Sequence, residues 1–137
     1  MTYIGASPDG TPFELPLDAV TTAFGILGQR GSGKSNAATV MVESMVAMGG
    51  HVAVLDPVGA WHGITHAGGG GPGLEGIVIG GEHGDVPLEE TGGKLVAELV
   101  IARHWPVVVI DMKLLRKGAQ SRFMADYCET LFHSNRE

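Results

Sequence analysis

A glycine-rich octapeptide that ends in lysine and serine is the part of this sequence with the clearest chemical potential. Residues 28–35 read Gly-Gln-Arg-Gly-Ser-Gly-Lys-Ser, which fits the pattern Gly-x4-Gly-Lys-Ser of phosphate-binding loops. Glycines allow positive φ and leave no Cβ in the way, so successive backbone N–H groups can approach an anion. The pattern therefore predicts a loop that binds the phosphates of a nucleotide.

Each residue type in this loop has a predicted role. Lys34 is the predicted catalytic residue, a compact charge that reaches the β- and γ-phosphates, and Ser35 offers its hydroxyl to Mg²⁺. We expect positive φ at Gly28, Gly31 and Gly33. A helix that begins near Lys34 adds the positive end of its dipole. The predicted ATP-binding residues are Gly28, Gln29, Arg30, Gly31, Ser32, Gly33, Lys34, Ser35 and Asn36.

An acidic residue at the end of a neighbouring strand is the second requirement of a nucleotide hydrolase, because it holds the water shell of the metal. Asp56 and Asp111 are the two candidates. Asp111 follows four β-branched residues, so we predict that it acts on the metal side together with Ser35. The alternative is an aspartate that merely ends a strand. Met112 comes next, where many ATPases place the glutamate that polarises the attacking water, so this segment offers no adjacent base.

The six histidines invite a metal-site interpretation. Only His62 and His66 share a four-residue spacing, and the glycine and β-branched residues between them argue against a helix. Cys128 is the single cysteine. We therefore interpret the histidines as polar loop residues. A GTPase is disfavoured, because the sequence holds no Asn-Lys-x-Asp motif for guanine.

The segments around the loop alternate between strand-like and helix-like patterns. Ser7-Pro8-Asp9-Gly10 predicts the tight turn of an N-terminal hairpin. Apolar runs and 3.6-residue periodicity predict strands at 23–27, 51–55, 77–79 and 107–111, and helices at 34–48, 92–103 and 119–132. Such alternation favours parallel pairing with right-handed crossovers. We predict an α/β protein with a β-hairpin over residues 1–20, a nucleotide-binding core over residues 21–137, and a glycine linker at 68–73.

Composition narrows the functional classes further. The chain has 137 residues, 9 basic against 15 acidic, and a net charge of −6. This negative net charge argues against an extensive basic surface that binds nucleic acid, although it is compatible with a small basic patch. Neither a signal peptide nor an apolar run long enough to span a membrane is present. We expect a soluble cytoplasmic protein. The single cysteine agrees with this expectation, because it cannot close an internal disulfide and so fits a reducing compartment.

Four blocks follow one another in the order found in a known ATPase family. They are residues 28–36, 55–63, 80–88 and 107–112. With them the sequence resembles the central ATPase domain of HerA/FtsK-type proteins over nearly all of the chain after the first hairpin. The resemblance implies a RecA-like P-loop fold with three αβα layers and a mostly parallel sheet. It also implies ATP and Mg²⁺ as ligands and a homo-hexameric ring that moves along duplex DNA.

The same resemblance implies a further strand that ends in Asp-Glu-Ala and carries the true Walker B pair. No Asp-Glu pair occurs in the 137 residues, and the four predicted strands are fewer than a P-loop core normally has. We therefore expect the N-terminal part of a longer ATPase, without the catalytic glutamate.

Two other functions stay open on the sequence alone. A small nucleotide phosphotransferase shares the phosphate loop but needs an arginine-bearing lid, and residues 60–76 carry no Arg or Lys. A non-hydrolysing nucleotide-binding module predicts ATP binding without turnover. Phosphate-transfer and turnover assays separate these alternatives.

Overall fold

The computed structural model describes residues 2–66 and 73–136, and the chain divides into two compact units. Met1–Gly50 form the first unit and His51–Glu137 form the second. The described residues contain three α-helices and a three-stranded parallel sheet, so the predicted α/β class is confirmed. The predicted glycine linker at 68–73 lies outside the described residues except for Gly73.

The first unit opens with the predicted hairpin. Strands β1 (Thr2–Ala6) and β2 (Pro12–Leu15) pair in antiparallel fashion. In the turn, the backbone N–H of Thr11 donates to the Asp9 carboxylate over 3.0 Å, and this bond lowers the pKa of Asp9. Gly10 adopts a φ of 83°, a conformation that a glycine takes without a steric penalty. The Pro-Asp-Gly signal was therefore sufficient to place the hairpin.

Residues 23–27 do not form the buried strand that their apolar character predicts. After a short 3-10 helix at Leu17–Thr21, the chain runs through residue 29 without regular structure. Phe24 is 53% exposed and Leu27 is 95% exposed. A strand needs a neighbour for its N–H and C=O groups, and no described strand pairs with this segment. An apolar run alone does not supply that neighbour, so the prediction of a strand here was wrong.

Helix α1 spans Lys34–Ala47, as the uninterrupted run of helix formers predicts. It ends where Gly49 takes a φ of 83° and donates its N–H to the carbonyl of Val46 over 2.9 Å. Such a left-handed glycine closes a helix because it satisfies a carbonyl of the last turn. None of the α1 residues is buried.

The second unit is built on three parallel strands. They are β3 (Val52–Asp56), β4 (Gly76–Gly80) and β5 (Val107–Asp111), in the order β3-β5-β4. The register aligns Asp56 and Gly80 with Asp111 of the central strand. The carboxyl ends of the three strands therefore meet at one edge, and the predicted parallel pairing is confirmed.

Helices α2 (Gly93–Ile101) and α3 (Lys117–Ser134) pack against each other and against one face of this sheet. Gly93 permits the close approach of the helices, because a Cβ there would lie 2.5 Å from the carbonyl oxygen of Phe123. Burial raises the pKa of Tyr127 to about 12. The buried cluster consists of Ile79, Val96, Ala97, Val108, Ile110, Met112, Phe123 and Tyr127.

No helix in the described parts of the chain combines the length and the hydropathy that a membrane crossing needs. The proposed division of the chain at residues 20 and 21 stays a prediction.

The Phe123 side chain should hold the second unit together. It is completely buried, so Phe123→Ala removes its contacts and leaves a cavity. We expect a loss of about 3–5 kcal/mol in the free energy of unfolding, measured by urea denaturation. Phe132→Ala on the same helix is the matched control, because Phe132 is 56% exposed. Phe132→Ala should lower the free energy of unfolding by at most about 1 kcal/mol. Equal losses of stability in the two variants would contradict the assigned core.

Candidate phosphate-binding site

The predicted phosphate loop lies at the start of α1, in the first unit. Residues 28–33 lead directly into the helix, whose first residue is Lys34. Gly31 has a φ of 82° and Gly33, the N-cap residue, has a φ of 91°. L-residues adopt such angles only with strain. A Cβ at either glycine would meet nothing within 4 Å, so the backbone conformation rather than crowding requires glycine at these two positions.

Gly28 is needed for a different reason from the one predicted. Its φ is not among the positive values of the chain. A Cβ at this position would instead collide with the Ser32 hydroxyl, and it would lie 3.4 Å from the Lys34 side chain. The expectation of positive φ at Gly28 was therefore wrong: this glycine makes room for side chains that fold back over the loop.

The Lys34 ammonium closes the loop on itself. Its Nζ donates to the carbonyl oxygens of Gly28 over 2.7 Å and of Gln29 over 2.8 Å. The N–H of Ser32 also donates to the Gln29 carbonyl, over 3.1 Å. These bonds hold one positive charge directly against the glycine-rich turn, while the side chain itself stays half-buried.

The first turn of α1 adds backbone donors to this charge. The earliest helical hydrogen bond at this end runs from the N–H of Ala37 to the carbonyl of Gly33, over 2.9 Å. The N–H groups before Ala37 precede any intrahelical acceptor, and no side chain caps them. The helix dipole places partial positive charge at the same end. Lysine, amides and dipole together make this end of α1 attractive to anions.

The remaining predicted ligand residues of this loop are open to solvent. Their described side chains make no hydrogen bond to any other described residue, and Ser35 contributes only its backbone carbonyl, to the Thr39 hydroxyl over 2.8 Å. Their role toward ATP stays a prediction. These exposed residues are Gln29, Arg30, Ser32, Ser35 and Asn36.

Asp56 ends β3 in the second unit and is 1% exposed. Its Oδ1 accepts the N–H groups of Val58 over 3.1 Å and Gly59 over 2.9 Å, and its Oδ2 accepts that of Trp61 over 2.9 Å. Three backbone donors therefore satisfy this carboxylate, and it shapes the loop that follows the strand. This is the geometry of an aspartate that organises its own turn.

Asp111 ends the neighbouring strand and is 2% exposed. Its Oδ1 accepts the backbone N–H of Lys113 over 3.0 Å. Its Oδ2 faces two glycines: a Cβ on Gly81 would collide with that oxygen, and a Cβ on Gly59 would lie 3.4 Å from it. The structure thus places Asp111 at the carboxyl edge of the sheet, with fewer backbone partners than Asp56. Its predicted role beside Mg²⁺ stays a prediction.

The histidines pair in a way that sequence spacing does not show. His62 begins a short 3-10 helix (His62–Thr65), and its ring stacks on that of His83 with centroids 4.1 Å apart. The two residues are distant in sequence, so no local pattern could have found this contact. No group of His, Cys, Asp or Glu among the described residues has the arrangement of a metal site.

The Asp56 carboxylate should matter for stability through its three backbone bonds. Asp56→Asn places an NH₂ group where an acceptor is needed, so at least one part-buried N–H loses its partner. We expect a loss of about 1–3 kcal/mol in the free energy of unfolding, measured by urea denaturation. Asp126→Asn makes the same chemical change at an exposed position of α3 and should change stability by at most about 0.5 kcal/mol. If the two variants lost equal stability, the proposed role of Asp56 in organising its turn would be contradicted.

Comparison with known proteins identifies the family. The family model described as the central domain of helicase HerA matches residues 2–79, more than half of the chain. No curated protein and no solved structure matches the sequence. The matched range contains the glycine-rich loop, α1 and the first strands of both units. The chain therefore belongs to the helicase HerA central-domain family.

Proposed function

We propose that this chain binds ATP together with Mg²⁺ through the loop at residues 28–35. The observation that carries the proposal is the Lys34 ammonium, held against the glycine-rich turn at the N-terminus of α1. Membership in a family of P-loop ATPases supports the same assignment.

Open space beside two glycines of the loop supports the proposal that it receives a triphosphate. Nothing stands within 4 Å of the Cβ positions of Gly31 and Gly33, so the space beside their backbone is open. Both glycines have left-handed φ angles, a conformation that also occurs in the anion-binding nests of other proteins. A phosphate chain there accepts hydrogen bonds from backbone donors, which do not discriminate between bases. Recognition of the adenine ring is left to other parts of the protein.

Lys34 exchanges its partners when nucleotide binds. In the structure its ammonium donates to two carbonyl oxygens, which are neutral acceptors. Because the donor is a cation, these bonds are already charge-assisted, but the oxygens of a triphosphate also carry negative charge, so the ammonium would gain a direct ion pair with them. The ammonium therefore moves from the loop carbonyls to the β- and γ-phosphates, where it offsets their negative charge.

Mg²⁺ would supply further positive charge to offset that of the phosphates. Ser35, exposed in the first turn of α1, is the residue whose hydroxyl would contact it. In the second unit, Asp111 is the less fully hydrogen-bonded of the two buried strand-end aspartates, and its metal-side role stays a proposal that rests on the sequence pattern. Hydroxyl and carboxylate oxygens are the hard ligands that Mg²⁺ prefers.

A role in DNA movement is the finer part of the proposal. The description of the family names a helicase, HerA. The resemblance to HerA/FtsK-type proteins implies a homo-hexameric ring on duplex DNA. We propose that ATP bound at the loop serves such movement.

Removal of the Lys34 charge should abolish most ATP affinity. Lys34→Ala deletes the bonds to the phosphates, but the wild-type ammonium would also give up two carbonyl bonds on binding. We therefore take the net loss as that of one charge-assisted bond, about 1.5–3 kcal/mol, so affinity should fall by about 10- to 150-fold. Isothermal titration calorimetry with ATP and excess Mg²⁺ measures this directly.

Lys94→Ala is the matched control, since Lys94 is an exposed lysine of α2 whose described ion pair, with Glu98, spans 4.0 Å. It should bind ATP as the wild type does. Circular dichroism of each variant shows whether the helices persist. Equal ATP affinity in wild type and a folded Lys34→Ala chain would overturn the proposed site.

A further inference from the structure

Two loops of the second unit meet over the carboxyl end of its central strand. We call residues 57–66 the β3 loop and residues 81–88 the β4 loop, after the two strands that flank β5. Gly59 of the β3 loop and Gly81 of the β4 loop both face the Asp111 carboxylate, because a Cβ on either glycine would contact its Oδ2. Asp111 is 2% exposed. The two loops therefore cover this carboxylate together.

A stack of two histidine rings joins the tips of these loops. The rings of His62 and His83 lie with centroids 4.1 Å apart and planes 20° apart. The Nδ1–H of His62 donates to the Gly59 carbonyl over 3.3 Å, so its Nε2 is the nitrogen left to take up a proton. His83 is exposed, and its side chain makes no hydrogen bond or ion pair within the described residues. Both rings can therefore exchange protons with solvent.

The base of each loop is fixed independently of the stack. The Asp56 carboxylate holds the β3 loop through three backbone N–H groups. In the β4 loop, Asp85 exchanges two hydrogen bonds with Val78 of β4, over 2.7 and 2.8 Å. Lys113 and Glu82 add an ion pair of 3.3 Å, but both side chains are at least half exposed, and such pairs contribute little. The tips can therefore separate while the bases stay in place, and the stack is the contact that decides this.

Protonation changes the stack in two steps. Histidine is the side chain that ordinarily gains charge between about pH 8 and 5. One proton leaves a cation against a neutral ring, which is compatible with stacking. A second proton places two positive charges at the 4.1 Å separation of the rings, where they repel each other.

Other charged groups surround the pair but do not separate the two rings. On β3, β5 and the two loops, the charged and titratable residues besides the pair are Asp56, His66, Glu82, Asp85, Asp111 and Lys113. Each of the four carboxylates already accepts a hydrogen bond or an ion pair of its own. The rings, in contrast, face each other directly, so repulsion between them dominates once both are charged.

We propose that the stack of His62 on His83 is a latch that holds the two loops together at neutral pH and releases them in acid, which uncovers Asp111. The closed latch binds the second proton more weakly than the open one does. The closed form is therefore favoured at high pH and is lost as the pH falls, by up to about tenfold per pH unit. This latch goes beyond nucleotide binding and does not involve the glycine-rich loop, so the failure of either is distinguishable from the failure of the other.

Carboxyl footprinting of the full chain, with a carbodiimide and glycine ethyl ester, tests whether acid uncovers Asp111. The labelling rate of Asp111 is divided by that of the exposed Asp126. This ratio should rise at least about tenfold between about pH 7.5 and 5, because opening takes up a proton. Circular dichroism should show unchanged helices over the same range. A constant ratio, or a rise that accompanies loss of the helical signal, would overturn the proposal.

Substitutions at His83 separate the charge from the ring. His83→Phe keeps a flat ring that cannot take up a proton, so the labelling ratio should stay within about twofold over the same pH range. His83→Ala removes the ring, and the ratio should be high at both pH values. His133→Phe, at an exposed histidine of α3, is the matched control and should keep the wild-type acid response. Equal acid responses in His83→Phe and His133→Phe, or a low ratio in His83→Ala at neutral pH, would contradict the latch.

Two further variants show whether other contacts close the loops. Glu82→Gln removes the ion pair with Lys113 and should raise the neutral-pH ratio at most about fivefold. A ratio as high as that of His83→Ala would assign the closure to the ion pair and overturn the latch. Lys34→Ala should leave the acid response unchanged in the absence of ATP. Loss of the response in a folded Lys34→Ala chain would contradict a latch that is independent of the glycine-rich loop.

Discussion

The double hydrogen bond from the Lys34 ammonium to the carbonyls of Gly28 and Gln29 is the interaction on which the proposed function depends. It holds a full positive charge against a turn whose glycines keep backbone N–H groups accessible. Without that charge, the start of α1 would be an ordinary uncapped helix terminus. With it, a full positive charge is added to the uncapped N–H groups and the dipole of this helix end, and all three attract phosphate.

In the second unit, the two strand-end aspartates differ in their hydrogen-bond partners. Asp56 and Asp111 occupy paired positions on neighbouring parallel strands, and both are buried. Asp56 satisfies three backbone donors, while Asp111 accepts one and turns its other oxygen toward two glycines. Similar sequence contexts therefore lead to different environments. The difference arises from the loops that follow each strand, which a pattern of β-branched residues does not encode.

Local features of this chain could be predicted from the sequence, and non-local ones could not. The Pro-Asp-Gly turn and the start of α1 at Lys34 follow from residues close in sequence, and the parallel pairing follows from the alternation of strands and helices along the chain. Residues 23–27 do not form the predicted strand, because no described strand pairs with them. The reason for glycine at position 28 is the nearby Ser32 hydroxyl, which only the three-dimensional structure shows. The order β3-β5-β4 and the stacking of His62 on His83 likewise depend on distant segments.

Hydrogen–deuterium exchange of the loop is the most direct measurement of the central claim. Backbone amides that bind phosphate are shielded from exchange, so saturating Mg²⁺–ATP should slow exchange in peptides that cover residues 28–36. The same ATP concentration, set at about ten times the wild-type Kd, should slow exchange much less in the Lys34→Ala chain, because its affinity is expected to be at least about tenfold weaker. Unaltered exchange over residues 28–36 in the wild type, with ATP demonstrably bound, would contradict the account and place the nucleotide elsewhere.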